Sequence, residues 1–473
     1  STICEEFGKN EYESYLLIDF AKKDKEVEMY FERYLNDMDT FFMLLQTHFG
    51  TKLTERNSLI IFDEVQMFPQ ARAAIKYLVA DGRYDYIETG SLISIRENVK
   101  NIVIPSEERN INMYPLDFEE FAIALEEDLL VEYIKKCFEK REPLERSMHN
   151  QAMLLFHQYM LVGGMPMPVV SFIESKKDFT EADKEKRDIL KLYREDIMKI
   201  DMRYRSKVLA IYDQIPGFLS QHEKRVVFKK LQDGSYADQY EETFFWLSDS
   251  MISNECFLCN DPNVGLSLNT TRSYVKCYMG DTGLLVTQIM KSQDNVDENI
   301  YKSLIFGKLG INQGMIIENM VAQMLKASGH DVYFHEYRYT PSDESNEKKY
   351  EIDFLTVKNK KICPIEVKSS SYTSHKSFDC QGLVPCGRGL FLCSSSISSL
   401  AFQISSALIW LFASLHSFNL YLLDSAGNIT SITDLIPSIA RSLPCAIAAS
   451  ITTRAACRAR SRHMTPGPLR RNG

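Results

Sequence analysis

The chain has 473 residues, 45% of them hydrophobic, which is material for roughly two to four domains with substantial cores. It is therefore neither a disulfide-stapled miniprotein nor a wholly disordered tail, and its eleven cysteines show no paired framework. With 55 Lys and Arg against 64 Asp and Glu the net charge is −9, which does not support a general role in coating nucleic acid. Lys- and Glu-rich composition without a signal peptide reads as cytoplasmic, with reduced thiols.

Taken in chain order, Tyr15–Phe20 (YLLIDF) is a short apolar run ending in an acid, and Glu26–Phe49 is a longer helix-like run. Ser58–Phe62 (SLIIF) is a strand signal ended by Asp63-Glu64, Gln70–Ala80 is helical, and Tyr84–Glu88 is a third strand signal ended by Thr89-Gly90-Ser91. Strand–helix–strand alternation predicts an α/β fold with a parallel sheet, whose ligands lie at the carboxyl ends of the strands. Residues 115–200 read as helical. Within them Pro115–Phe121 reads as packing and a helix start, and Gly163-Gly164 as a turn that lets backbones approach closely. Residues 205–285 alternate helices and short strands, with Asp281 before Thr282-Gly283 as a turn or cap. A helix is expected over 312–327, then strands near Val332–Tyr337, Tyr350–Val357 and Ile362–Val367, with a polar loop at 339–348.

Residues 380–473 break the pattern. They contain no Lys and no Glu, only eight Arg and two Asp, a net of +6, which leaves 47 basic and 62 acidic residues, −15, for 1–379. The span Ile397–Leu415 is about long enough to cross a bilayer, but its Ser and Gln content weakens that reading, and a membrane is not expected as a partner. The tail reads instead as non-native sequence joined after about Asp379.

Four apolar residues followed by Asp63-Glu64 form the Walker B pattern. One carboxylate can hold hydrated Mg²⁺ and its neighbour can polarise the attacking water, so Asp63 takes the metal role and Glu64 the catalytic one. Acids at a strand end are common, but two neighbours strengthen the reading. Thr89 and Ser91 end the next strand, where a hydroxyl could meet the γ-phosphate or the attacking water. The chain opens with Ser1-Thr2 ahead of a helical run, the position of the Mg²⁺-ligating hydroxyl if a Gly-Lys precedes Ser1.

With STICEEFGK at its start, IIFDEVQ, ETGS, NMYPLDFEEF at 112–121, YMLVGGMPMPVV at 159–170, MGDTGLL at 279–285, ENMVA and EIDF…IEVKSS, the body resembles bacterial or archaeal AAA+-type P-loop ATPases joined to a DUF4143 domain. The resemblance implies a partial P-loop AAA+-like parallel sheet over 1–110 and a helical connector over 111–200. It also implies a winged-helix-like region over 201–300 and a restriction-endonuclease-like, PD-(D/E)xK α/β domain over 301–379. ATP and Mg²⁺ are the implied cofactors, DNA and a homo-oligomer the implied further partners. The departure is the Gly-rich loop and its Lys, absent from these 473 residues, so the chain as it stands is expected to bind ATP poorly.

In the nuclease-like region, Glu318 lies on the expected helix, Asp353 on one strand and Glu366-Val367-Lys368 on the next. Strand alternation puts Glu366 and Lys368 on one face. In this reading Asp353 and Glu366 hold Mg²⁺, Lys368 orients the attacking water, and Glu318 is an auxiliary ligand. The alternative is a non-catalytic DNA-binding or regulatory module in which both sites are degenerate. Arg203, Arg205 and Lys207, and His222, Lys224, Arg225, Lys229 and Lys230, form two basic clusters that read either as phosphate contacts of a winged helix or as solvated helix faces. Cys256 and Cys259 form a lone C-x-x-C and read as buried thiols. There is no H-E-x-x-H, no G-x-S-x-G and no G-x-G-x-x-G.

Overall fold

A computed structural model of the chain describes residues 2–90, 109, 111–140, 142–221, 223–231, 240–262, 265–290, 313–340, 347–358 and 361–368, with short strands at 390–393, 421–423 and 429–431. Ser1, Ser91, His222 and the Ile397–Leu415 run lie outside the described residues, as do the side chains of Lys229, Lys230 and Lys368. Two compact units are present, one built on residues 1–111 and one on residues 112–418. A separate antiparallel ribbon joins Tyr421–Leu423 to Ile429–Ser431.

The first unit runs α1 (Thr2–Glu11), β1 (Ser14–Asp19), α2 (Lys25–Arg33), α3 (Met38–Phe49), β2 (Ser58–Asp63), α4 (Pro69–Asp81) and β3 (Asp85–Glu88). Its sheet has the order β1-β2-β3, every pair parallel. The middle strand is apolar and buried from Leu59 to Phe62, as a strand covered on both faces must be. Phe20, Phe31 and Phe62 meet edge to face, with centroids 5.7 to 5.8 Å apart, the arrangement that ring quadrupoles favour. The single helix expected over Glu26–Phe49 is two helices. Asp37 breaks it by capping α3, accepting from Thr40 N at 3.2 Å and Thr40 Oγ1 at 2.6 Å. Asp24 caps α2 in the same way.

The second unit begins with five helices, α5 (Phe118–Ala124), α6 (Asp128–Lys140), α7 (Arg146–Val162), α8 (Pro166–Glu174) and α9 (Phe179–Ile197). Then come α10 (Met202–Leu219), α11 (Phe228–Leu231), α12 (Glu241–Asp249), β4 (Ser253–Cys259), β5 (Thr270–Met279) and α13 (Thr282–Ile289). The unit continues with α14 (Gln313–Ala327), β6 (Tyr333–Tyr339), β7 (Lys348–Lys358), β8 (Lys361–Lys368) and β9 (Leu390–Cys393). Its six-stranded sheet has the order β5-β4-β6-β7-β8-β9, with β4/β6 and β8/β9 parallel and the other pairs antiparallel. One continuous hydrophobic core runs from Phe118 on α5 to Ile365 on β8, so the connector helices and the sheet share an interior. Cys256 and Cys259 on β4 are free and wholly buried.

A buried polar hub joins the two halves of that core. Asp117 and Glu120 form a reciprocal capping box at the start of α5. Asp281 caps α13 through Leu284 N at 2.9 Å, and its other oxygen accepts from Gly164 N at 2.7 Å. Gly164 O in turn accepts from Leu116 N at 2.7 Å. Asn319 and Gln323 of α14 satisfy the backbone of Met279 and Thr282, and Gln323 Nε2 also reaches the Tyr159 hydroxyl at 3.2 Å. A Cβ on Gly164 would lie well inside 3.0 Å of the Leu116 backbone, and a Cβ on Gly163, at φ +83°, would strike the Asp281 carboxylate. Gly164→Ala is expected to cost about 1–3 kcal/mol in urea unfolding, an overpacking penalty. Gly329→Ala, where φ is +76° but nothing lies within 4 Å, is expected to cost only the left-handed backbone penalty of roughly 1–2 kcal/mol.

Candidate functional site

In the first unit the carboxyl ends of the strands are level. The parallel register pairs Asp19 with Asp63 and Phe62 with Glu88, so Asp19, Asp63-Glu64 and Thr89 emerge along one edge of the sheet. Backbone bonds hold the last turn together: Thr89 N donates to Phe62 O at 2.8 Å, and Val65 N to Thr89 O at 3.1 Å. The Thr89 hydroxyl donates to Asp63 Oδ1. Thr89 therefore orients the carboxylate from the neighbouring strand, a partner that sequence reading had directed at phosphate. Thr2 is exposed at the first residue of α1. Burial raises the Cys4 thiol above its ordinary range, and the charge of Asp63 adds to that rise, which places the start of α1 within electrostatic reach of the strand ends.

Glu64 sits in the left-handed region, at φ +54° and ψ +42°. Non-glycine residues adopt it at a cost of order 1–3 kcal/mol, and such positions cluster at functional sites. The conformation ends β2 at Asp63 and leads into the turn Val65–Met67. Gln66 Nε2, on a buried side chain, donates to Glu64 Oε2 at 2.6 Å and fixes that carboxylate.

In the second unit two of the carboxylates singled out by sequence, Glu318 and Glu366, are buried, and Asp353 is half-buried. Asp353 on β7 and Glu366 on β8 lie opposite one another in the register that pairs Phe354 with Ile365. Asp353 Oδ2 accepts from Val367 N at 2.7 Å, and Glu366 is 1% exposed. Glu318 lies on α14, itself 1% exposed, with its charge felt at Asp353. Its Oε1 accepts from the Tyr278 hydroxyl at 2.6 Å and lies 3.4 Å from Lys276 Nζ, and its Oε2 is ion-paired to Lys224. Lys276 Nζ also donates to Glu351 Oε1 at 2.6 Å. Burial pushes Glu318 upward, but the two lysines outweigh it and hold the carboxyl below its ordinary range. Asp353 goes the other way. Burial, helped by the Glu318 charge, raises it to about 7.

Sequence reading missed Lys276, Tyr278 and Glu351. The available signal was the lone Lys inside the apolar strand run YVKCYM, since a buried ammonium must have an acidic partner. Within the second basic cluster, Lys224 pairs with Glu318 and Arg225 with Glu336, so acids of the same unit engage these two cations. Of the first cluster, Arg203 pairs with Asp201, Arg205 Nη2 donates to Ile200 O at 3.0 Å, and Lys207 sits over the Tyr240 ring.

Three stretches match known families. Residues 1–122 match an AAA domain, residues 153–295 a domain of unknown function (DUF8612), and residues 313–381 a second domain of unknown function (DUF4143). No curated protein matches the chain, and no solved structure does. An AAA domain implies nucleotide binding and an ATPase-type function, usually with a divalent metal, and the parallel three-stranded sheet is consistent with it. Among the described residues no helix is long and apolar enough to cross a membrane.

The Asp353 shift sets a sign. A carboxyl raised from 3.8 to about 7 keeps its proton in the folded state over that interval, so its contribution to stability is full below pH 3.8 and lost as pH rises through about 7. Asn mimics the protonated form. The stability of Asp353→Asn relative to the parent is therefore expected to increase as pH rises from 5 to 7 and to level off above, in urea unfolding at stepped pH. A difference that does not change with pH would show Asp353 to be charged in the fold.

Proposed function

We propose that the first unit binds and hydrolyses ATP with Mg²⁺. The observation that carries the reading is the alignment of Asp63, Glu64 and Thr89 at the carboxyl edge of an all-parallel sheet, with Glu64 turned by a left-handed backbone. The donor set suits the metal: a carboxylate and neighbouring hydroxyls are the hard oxygen ligands that Mg²⁺ takes. Bound there, Mg²⁺ would neutralise charge developing on the phosphates. Asp63 holds the metal side of the site, and the Thr89 hydroxyl fixes which of its oxygens is presented. Glu64 accepts the proton of the attacking water, with Gln66 holding the carboxylate in place. Thr2, and by the same reading Ser1 and Ser91, complete the polar rim.

In the second unit we read 301–379 as nuclease-like in fold. Support comes from the order α14, then the antiparallel β6-β7-β8, with Asp353 and Glu366 facing each other across β7 and β8. The helices α10–α12 followed by the β4–β5 hairpin support the winged-helix-like reading of 201–300. A regulatory rather than cutting role for this half is favoured by one observation, the capture of Glu318 by two lysines.

The test is phosphate release from ATP, on the chain expressed with whatever residues its locus encodes ahead of Ser1. Glu64→Gln keeps size and removes the base, and is expected to lower kcat by at least about 100-fold with little change in KM. Equal turnover by Glu64→Gln and the parent would sink the reading. Thr89→Ala, which frees the Asp63 carboxylate to rotate, is expected to lower kcat by roughly 10- to 100-fold, the usual size of an effect on the orientation of a metal ligand.

A further inference from the structure

The likeness of the second unit to metal-dependent nucleases implies a divalent cation held by Glu318, Asp353 and Glu366. The residues do not fit one. Mg²⁺ needs carboxylate oxygens with open lone pairs and room for its waters. Both oxygens of Glu318 are already taken, Oε1 by the Tyr278 hydroxyl and Lys276 and Oε2 by Lys224. Asp353 Oδ2 is taken by the Val367 amide. Among the described residues no group of three or more His, Cys, Asp or Glu side chains could hold a metal ion. A cation entering the cluster would also meet an ammonium. The Lys276 side chain is wholly buried, with Nζ between Glu318 and Glu351 and 4.9 Å from the centre of the Phe334 ring.

Charge bookkeeping agrees. Glu318 and Glu351 supply two negative charges and Lys276 and Lys224 two positive ones, so these four groups neutralise one another without a metal. Burial alone would strip the proton from Lys276, but Glu318 and Glu351 outweigh it and keep the amine charged. Glu318 and Glu336 stitch down a segment of chain. Lys224, in the left-handed region at φ +50°, pairs with Glu318, while Arg225 pairs with Glu336. Lys349 bridges Glu223 and Glu336, at 3.0 and 3.2 Å. Val226 N then donates to Val275 O at 3.0 Å, joining the segment to β5.

We propose that Lys276 is the resident cation of this carboxylate cluster, which therefore holds no divalent metal and serves instead to clamp residues 223–226 onto α14 and the sheet. The proposal does not rest on the nucleotide reading of the first unit.

The test uses the full chain carrying Asp63→Asn, without nucleotide, so that the first unit contributes no metal ligand. Mn²⁺ is titrated in and followed by the electron paramagnetic resonance of the free ion, and thermal unfolding is compared in Mn²⁺ and in EDTA. The expected result is no saturable uptake below about millimolar Mn²⁺ by the cluster, and coincident unfolding midpoints, because a ligand that bound the fold would raise the midpoint by mass action. Saturable uptake of Mn²⁺ that is lost on adding Glu366→Gln, in a protein that still folds by circular dichroism, overturns the proposal; uptake that survives Glu366→Gln lies elsewhere and agrees with it. Lys276→Met keeps the stem and removes the charge. It is expected to lower the midpoint by several degrees or to leave the second unit unfolded, since it removes the cation shared by the buried Glu318 and the half-buried Glu351. A Lys276→Met protein with the parent's midpoint overturns the proposal from the other side.

Discussion

An ammonium with no exposed surface is among the most demanding groups a protein can fold around, and the second unit is arranged to meet that demand. Lys276 reaches Glu351 on β7 and Glu318 on α14 from its own strand β5. The sheet must therefore curl enough for β5 to approach β7 across two intervening strands. Networks of this kind are weak as net stabilisers, because desolvation cancels much of the attraction. They are strong as constraints: each partner has only one place where its charge is tolerable. Helix position, strand register and the course of residues 223–226 are thus set by one requirement.

The first unit solves a different problem. Its acids stay at the edge of a parallel sheet, near the ends of buried strands, where they remain accessible. Rigidity comes from the strand ladder beneath them and from the Thr89 hydroxyl beside Asp63. The strain is local, a left-handed Glu64 next to an extended strand, and the turn Val65–Met67 that follows holds it. The two units thus place carboxylates in different ways, half-buried and oriented at a sheet edge in one, paired with buried lysine in the other.

Much of this was legible in the sequence. Short apolar runs marked β1, β2 and β3 to within a residue or two, and the helix at 313–327 and strands β6 to β8 fell where period and composition put them. The helix start within Pro115–Phe121, the cap at Asp281 and the close approach at Gly163-Gly164 were legible because small residues and Asx caps have few other uses. The break at Asp37 was not, because a capping Asp inside a polar stretch looks like any solvated acid. Glu318, Asp353 and Glu366 stood out in the sequence, but their electrostatic partners did not. Ion pairs such as Glu318 with Lys224 and Lys276 join residues 94 and 42 positions apart, and no local pattern encodes such a pairing. Lys224 and Arg225 read as a basic surface for the same reason: charge is visible in sequence, and direction is not.

The hub around Asp281 has a consequence for how the chain is made. Its hydrogen bonds connect Gly164 to a residue 117 positions later, and Tyr159 to one 164 positions later. The helices from Phe118 to Leu219 share their core with strands and a helix that the ribosome delivers only afterwards. Until Gln323 emerges, those helices pack on one another but lack the later strands and helix that complete their core. Non-local closure of this kind is slow and leaves sticky intermediates. The second unit is thus the half of the chain with the greater need of protection during synthesis, while the first, whose core closes within its first ninety residues, can be complete before the hub exists.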